Sequence, residues 1–529
     1  MQQKRITRTV GRSLAQPFAE VFLSTRANAQ AVHRQLQAGE IRRIAKQLYT
    51  TNLTDDLTAV VTRNLWHVVD LLVPGAVIAY RTAFEMRPTD GRVYLVGRGR
   101  NDYELPGLTI RVSKGPGRLS GDTSYLSNLH LASRPRAILE CLKPTRARGG
   151  VARGLAPNVI EEYLDRELRI SGEARLNVLR DEARALVPAL DAGVAFERLD
   201  AMIGALLGTR TTKLSSPVAL ARAAGEPYDP QRLELFQALH AKLVTWPVRS
   251  RPDVLPTDRE FANLAFFDAY FSNFIEGTKF RVDEAHAIVF EGQIPAARPR
   301  DAHDVLGTYH LVGSRAAMSR GIRDLLSVEE FFDRLSAAHA EILTARSDKR
   351  PGRFKAVANQ AGATTFVDPE LVRGTVRHGV TMARSLETPF ARAAMTMFVL
   401  AEVHPFDDGN GRLARAFMNA ELIAGGQRRI LIPTSFRSEY LTGLRTLSRQ
   451  DHPDVYLQVL DYAQEYTWRI DFSDYDLALG ILTETEAFEE EESRRTVVPS
   501  DGGERPDPKL RMPPPRSPKP DGTDAPWHA

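Results

Sequence analysis

Residues 391–426, ARAAMTMFVLAEVHPFDDGNGRLARAFMNAELIAGG, constrain the fold more than any other stretch of this chain. Ala391–Val403 reads as a strongly apolar helix, and a helix with so little polar surface belongs inside a helical core. A second apolar helix runs to Ala424 and is stopped by Gly425-Gly426, residues free to leave the helical conformation. Between them lies His404-Pro405-Phe406-Asp407-Asp408-Gly409-Asn410-Gly411-Arg412. Helical periodicity extends over 259 to about 475, with one non-helical interruption near 351–368.

The connecting loop carries polar groups of a particular kind. Gly409 and Gly411 flank Asn410, so backbone N–H groups can converge on a phosphate. The second helix starts there, and its free N–H groups and positive dipole end face the same point. Arg412 and Arg415, three apart on one helix face, both reach toward a polyphosphate. Asp408 offers a hard oxygen ligand for a magnesium ion bridging that phosphate. His404 at the loop mouth would accept a proton near neutral pH. Phe406, apolar in a polar loop, is predicted to point inward and fix the loop. These are the parts needed to hold a nucleoside triphosphate while a hydroxyl attacks it.

The segment resembles the Fic family. The signature H-P-F-x-[D/E]-G-N-G-R-x-x-R is matched by His404, Pro405, Phe406, Asp408, Gly409, Asn410, Gly411, Arg412 and Arg415. The resemblance implies an all-α core over about 260–475, roughly two-fifths of the chain. It implies transfer of AMP from ATP to a hydroxyl of a target protein, with release of pyrophosphate. His404 would be the general base, Asp408 would hold Mg²⁺, Asn410 and the loop amides would hold phosphate, and the arginines would hold the β- and γ-phosphates.

Three further segments fit the same family. Residues 353–367, RFKAVANQAGATTFV, resemble the hairpin flap that aligns the target as an added strand, with Gly362, Ala363 and Thr364 at its turn. Ser272-Asn273-Phe274-Ile275-Glu276-Gly277 fits the inhibitory pattern [S/T]-x-x-x-E-[G/N], on a helix over about 260–277. Glu276 would then pair with Arg415 and occupy the group meant for the γ-phosphate. Ile430-Leu431-Ile432-Pro433 and Arg437-Ser438-Glu439-Tyr440 resemble the stretch near the adenine, with Tyr440 against the base or packed in the core.

The 529 residues suggest about three domains. The fold class predicted is mainly α: an all-α Fic core with a small β-hairpin flap, preceded by an α+β N-terminal domain. Residues 1–150 form that domain, and 151–258 a helical region and connection. In the first, 25–38 reads as a helix, 40–50 as a strand or short helix, and 75–112 as strand-rich. The domain loosely resembles the antitoxin half of abortive-infection systems, on Gly39–Ile44, Leu48-Tyr49, Pro74–Ile78 and Leu105-Pro106-Gly107. That resemblance implies a winged helix that binds DNA, with 25–38 in the groove and 42–46 on phosphates. Residues 1–150 hold 23 Lys and Arg against 11 Asp and Glu, a net of +12 in a chain whose net is +4. Such asymmetry fits a polyanion-facing domain or a solvated basic surface.

The tail, 486–529, is predicted to be disordered: 484–492 has six Glu in nine positions and 499–529 nine Pro. The single cysteine, Cys141, excludes a disulfide framework and fits a reducing compartment. No run of about 18 apolar residues predicts a membrane span, so a cytoplasmic protein is expected. The function expected is a protein adenylyltransferase using ATP and Mg²⁺, autoinhibited by Glu276, acting on an unidentified target protein. The alternatives are a DNA-binding regulator or toxin–antitoxin-like protein using the Fic fold as a nucleotide sensor, and an enzyme that removes AMP. Homo-oligomerisation stays open.

Overall fold

The computed structural model describes residues 18–126, 128–144, 152–247, 249–253, 257–362, 364–490 and 511–513. These form two compact units, divided between Ala224 and Gly225.

The first unit opens with β1 (Val21–Leu23), α1 (Ala29–Gln37) and the hairpin β2 (Arg42–Ala45) and β3 (Leu48–Thr50), in a sheet ordered β1-β3-β2. Residues 40–50 are therefore strand, turning at Gln47 with φ 63°. Val32 of α1 packs on Phe22 and Ile41. Among the described residues no helix precedes α1. Next come α2 (Leu57–Arg63) and α3 (Leu65–Leu72). A six-stranded mixed sheet follows, from β4 (Val77–Ile78), β5 (Arg92–Gly97), β6 (Asn101–Leu105), β7 (Leu108–Lys114), β8 (Thr123–Tyr125) and β9 (Leu129–Leu131), ordered β6-β7-β5-β4-β9-β8.

Successive strand side chains face opposite ways, and here both faces are covered. Val93 and Leu95 of β5 pack with Val61 and Val68 of the α2–α3 layer. Tyr94 and Val96 pack in a second core with Ile138 and Leu139 of α5 (Arg134–Leu142), and with Leu176, Leu199 and Ala219. Those last three belong to a long helical segment α6 (Pro157–Leu190, broken at Gly172 with φ 73°), α7 (Gly193–Leu206) and α8 (Pro217–Ala223), after the four-residue α4 (Thr82–Glu85). This explains why the unit runs to Ala224 and does not end near 150. The apolar stripes of 159–207 form the second face of the sheet's core.

The second unit is helical: α9 (Pro230–Val244), α10 (Asp258–Ile275), α11 (Val282–Glu291), α12 (Pro299–Gly313), α13 (Arg315–Met318) and α14 (Val328–Ile342). A small hairpin β10 (Gln360–Ala361) and β11 (Thr364–Thr365) interrupts it at the expected place. Then follow α15 (Val372–Ser385), α16 (Pro389–Val403), α17 (Asn410–Ala424), α18 (Arg437–Gln450), α19 (Pro453–Arg469) and α20 (Tyr475–Glu484). The α16–α17 pair is the centre of the unit, with nearly every α16 residue buried. Caps set the entries: Thr257 Oγ1 accepts from Glu260 N at the start of α10, and Thr388 Oγ1 from Ala391 N at the start of α16.

The tail begins later than composition suggests. Ala487 is fully buried, its carbonyl accepts from Ser435 N at 3.3 Å, and Phe488 stacks on Phe271 of α10 at 5.3 Å between centroids. Two apolar residues within an acidic run suffice to dock it; residues 491–510 and 514–529 lie outside the described residues. Phe488→Ala is expected to destabilise the protein by about 1–2 kcal/mol, less than a full core aromatic because Phe488 is half-buried. Urea denaturation of the full chain with an unchanged midpoint would contradict this docking.

Candidate active site

The site is built where α16 ends. His404 caps that helix with φ 54°, a left-handed conformation unusual for a residue other than glycine. Its Nδ1 lies 3.0 Å from the Ala401 carbonyl. A carbonyl only accepts, so Nδ1 carries the proton and Nε2 keeps its lone pair. Burial pushes the imidazole down to about 4, with Ala401 and Glu276 opposing the shift and Lys355 adding to it. The neutral form therefore persists well below the pH expected of an ordinary histidine.

The loop beyond His404 is held from inside. Phe406 is fully buried and stacks on His339 of α14 at 3.8 Å. His339 accepts from Gly352 N through Nδ1 and lies 3.1 Å from the Asp408 carbonyl through Nε2. Asn410 spends its side chain on the same loop: Oδ1 accepts from Phe406 N and Nδ2 donates to Phe406 O, both at 2.9 Å. Asn410, expected to hold phosphate, thus has both polar atoms of its side chain on the loop, and the N–H groups opening α17 face the same point.

The two adjacent aspartates differ. Asp407 is gripped by both ends of the Arg350 fork, at 2.7 and 2.8 Å. Asp408, its side chain 44% exposed, lies 3.8 Å from Arg412 and accepts from Gly409 N at 2.7 Å. Among the described residues no cluster of three His, Cys, Asp or Glu side chains could hold a metal ion. A single open carboxylate beside an anion site fits Mg²⁺, which commonly takes one or two protein carboxylates and completes its shell with phosphate and water.

The arginines also divide. Arg412 is buried and faces Asp304 and Asn273, each at 3.3 Å. Arg415, buried likewise, donates from Nε to Ser272 Oγ at 3.0 Å, and from Nη2 to Ser272 O at 2.9 Å and to Glu276 Oε1 at 2.7 Å. Glu276 and Arg415 are therefore paired. Desolvation works against the Glu276 carboxylate, but the charge and hydrogen bond of Arg415 outweigh it and hold the group below its ordinary value. The same oxygen sits over the start of α17: a Cβ on Gly411 would come within 2.1 Å of Glu276 Oε1. The carboxylate thus occupies both anion-attracting features at once, the arginine and the helix N-terminus. Gly277, φ 94°, ends α10 and turns the chain away.

Tyr440, expected against the base or packed in the core, is buried behind Arg415, which donates to its hydroxyl at 3.4 Å. A cavity of about 290 Å³ is lined by Phe274, Gly277, Ser435, Arg437, Leu441 and Arg445 among others. The hairpin reaches His404 through Phe366. Gly362 takes φ 58° at its turn, Ala363 lies outside the described residues, and Thr364 Oγ1 accepts from Arg449 at 2.8 Å. Phe366, just past β11, stacks on the His404 ring. Reading the sequence missed His339, Lys355, Asn359 and Phe366 as site residues. Lone polar or aromatic residues outside the signature carry no spacing that would reveal them.

The Fic/DOC family profile matches residues 331–422. Protein adenylyltransferase fic-1 of Caenorhabditis elegans is 29% identical over 194 residues, covering 35% of this chain and 37% of the relative. Protein adenylyltransferase Fic of Drosophila willistoni is 32% identical over 106 residues, covering 19% and 21%. The chain thus spans about a third or less of the length of these relatives. A solved Fic-1 fragment from C. elegans, residues 134–508, is similar with a TM-score of 0.33 and 18% identity, over 65% of this chain and 96% of that one. The match covers most of α14 through most of α17, with His339, the hairpin and the complete loop, so it is over residues 331–422 that this chain is similar to the Fic/DOC family.

Proposed function

We propose that this chain is a protein adenylyltransferase whose own Glu276 holds it in check. The observation that carries the reading is the placement of a neutral imidazole, Nε2 open, at the mouth of a loop leading into a helix N-terminus and the buried Arg415. A target hydroxyl oxygen attacks the α-phosphorus of ATP. The new O–P bond forms as the bond to the bridging oxygen of the β-phosphate breaks, the hydroxyl proton passes to His404 Nε2, and pyrophosphate leaves. Arg415 and the N–H groups of Asn410, Gly411 and Arg412 receive the negative charge of the triphosphate. Mg²⁺ held through Asp408 would neutralise charge on the departing pyrophosphate. The cavity beside Gly277 and Leu441 has room for part of a nucleoside, and the exposed β10–β11 hairpin offers its strand edge to the target backbone.

The test is incorporation of α-³²P-labelled ATP into a cell lysate by the wild type and by Glu276→Gly. Label gained with the variant and lost again with His404→Ala supports transfer. Loss of label from pre-adenylylated protein, dependent on Glu276, would instead favour AMP removal.

A second reading concerns the first unit alone. Its basic balance, with Arg34, Arg43 and Lys46 exposed, supports duplex DNA as a partner. The 1–224 unit, cut where its core ends, is expected to bind duplex DNA at ~50 mM salt and to lose most of that affinity by ~200 mM. No gel shift at the lower salt would remove DNA as its partner. Among the described residues no helix is long and apolar enough to cross a membrane, and Cys141 is a buried free thiol; we place the protein in the cytoplasm.

A further inference from the structure

The second unit contains a buried ammonium that the transfer step does not use. Lys355 is 3% exposed. Its Nζ donates to Asn359 Oδ1 at 2.8 Å and to the Val403 carbonyl at 3.2 Å, and its backbone N donates to Pro405 O at 2.9 Å. No carboxylate lies within salt-bridge distance of Nζ among the described residues. A buried charge without a counter-ion is costly and persists only where the surrounding acceptors hold it.

Its contacts converge on one side chain. Val403 O is the carbonyl just before His404, at the negative end of α16, where a helix favours a protonated histidine. Asn359, held by Lys355, donates from Nδ2 to Phe406 O at 2.9 Å, and its own carbonyl accepts from Phe366 N at 3.1 Å. Phe366 then lies flat on the imidazole, 3.7 Å between centroids and 7° between planes. The chain leaves the flap through a ring stacked on the proton acceptor.

We propose that Lys355 and Phe366 are positioning residues for His404. Lys355 caps the end of α16 and ties the flap to the loop, and Phe366, held by that tie, fixes the plane of the imidazole. Docking a target on the flap and aligning the base are then one event. This rests on His404 being the proton acceptor. The charged groups facing the imidazole are Glu276 from α10, Asp408 from its own loop and Lys355 from the flap base. The two carboxylates favour the imidazolium and Lys355 opposes it.

The test has two readouts on the full chain. In the first, ¹³C-histidine NMR follows the imidazole, its resonance identified by loss in His404→Ala. Lys355→Met is expected to raise the His404 titration midpoint, because a neighbouring cation is lost. Lys355→Arg is expected to return it toward wild type. Phe366→Leu is expected to shift the ring resonance by removing the stacked aromatic, and it serves if the methionine variant fails to fold. In the second, self-labelling with α-³²P-ATP is measured in the Glu276→Gly background. Lys355→Met is expected to lower kcat about tenfold or more with KM for ATP unchanged, and Lys355→Arg to recover most of it. An unmoved midpoint in Lys355→Met, equal losses with Met and Arg, or an unshifted resonance in Phe366→Leu overturns the proposal. If Glu276→Gly with Lys355 intact incorporates no label, the transferase reading fails, while the NMR titration still decides whether Lys355 and Phe366 hold His404.

Discussion

Replacing His404 by alanine in the Glu276→Gly background is expected to lower AMP transfer at least ~100-fold, the scale of a lost general base, while ATP still binds. On the proposed mechanism the two effects separate, because the imidazole would meet the incoming hydroxyl while Arg415 and the start of α17 would hold the triphosphate. The pH dependence should carry the same signature. Burial holds the imidazole at about 4, so the base is already unprotonated across the neutral range, and transfer should fall only as the pH approaches that value and Nε2 takes up a proton. Removing Glu276, an anion that favours the imidazolium, moves the midpoint lower still. Titrating a fluorescent ATP analogue alongside label incorporation distinguishes lost chemistry from lost binding. Near-normal transfer by the alanine variant would remove His404 as the base.

That midpoint is a case of what a sequence cannot display. His404, Asp408, Gly409–Gly411 and Arg415 were legible because the loop brings them together within twelve residues, and the apolar runs on either side can only be helices packed in a core. The pairing of Glu276 with Arg415 was legible only through a family pattern, since 139 residues separate them. What stayed hidden depends on which groups become neighbours in space. A histidine expected to titrate near neutrality is moved by burial among α10, the flap and α16. The side chain of Asn410 is committed to the loop by the backbone N–H and C=O of Phe406. Tyr440 lies inside, its hydroxyl 3.4 Å from Arg415 Nη1. The unit boundary at Ala224 was missed for a related reason: the helices over 157–223 have ordinary amphipathic stripes, and periodicity does not say that their partner is the sheet formed by residues 77–131.

Glu276→Gly is expected to raise self-labelling and target labelling by roughly 10- to 100-fold, the equivalent of the about 1.5–3 kcal/mol carried by a hydrogen bond to a charged group. In the wild type the carboxylate accepts from Arg415 Nη2 at 2.7 Å and stands over the first turn of α17, so a γ-phosphate would have to share both features with an anion already there. On the proposed reading ATP is expected still to enter, with its α-phosphate turned from the in-line approach that displacement needs. The glycine variant removes charge and bulk together. Glu276→Gln removes the charge and keeps the bulk above Gly411, so its gain should approach that of glycine if electrostatics dominate and fall well short if occupancy does. The control that ties the gain to one group is Glu276→Gly combined with Arg415→Ala. Arg415 also holds Ser272 at the end of α10, so the double variant is checked for an unchanged melting temperature before its rate is read. A slow double variant with an intact fold assigns the gain to Arg415 freed for the γ-phosphate. If Glu276→Gly gains no label in several lysates with magnesium present, the pair at 2.7 Å is a structural clamp on α10 and the enzyme is not restrained by it. If removal of AMP from a modified protein falls in the same variant, Glu276 serves the reverse direction.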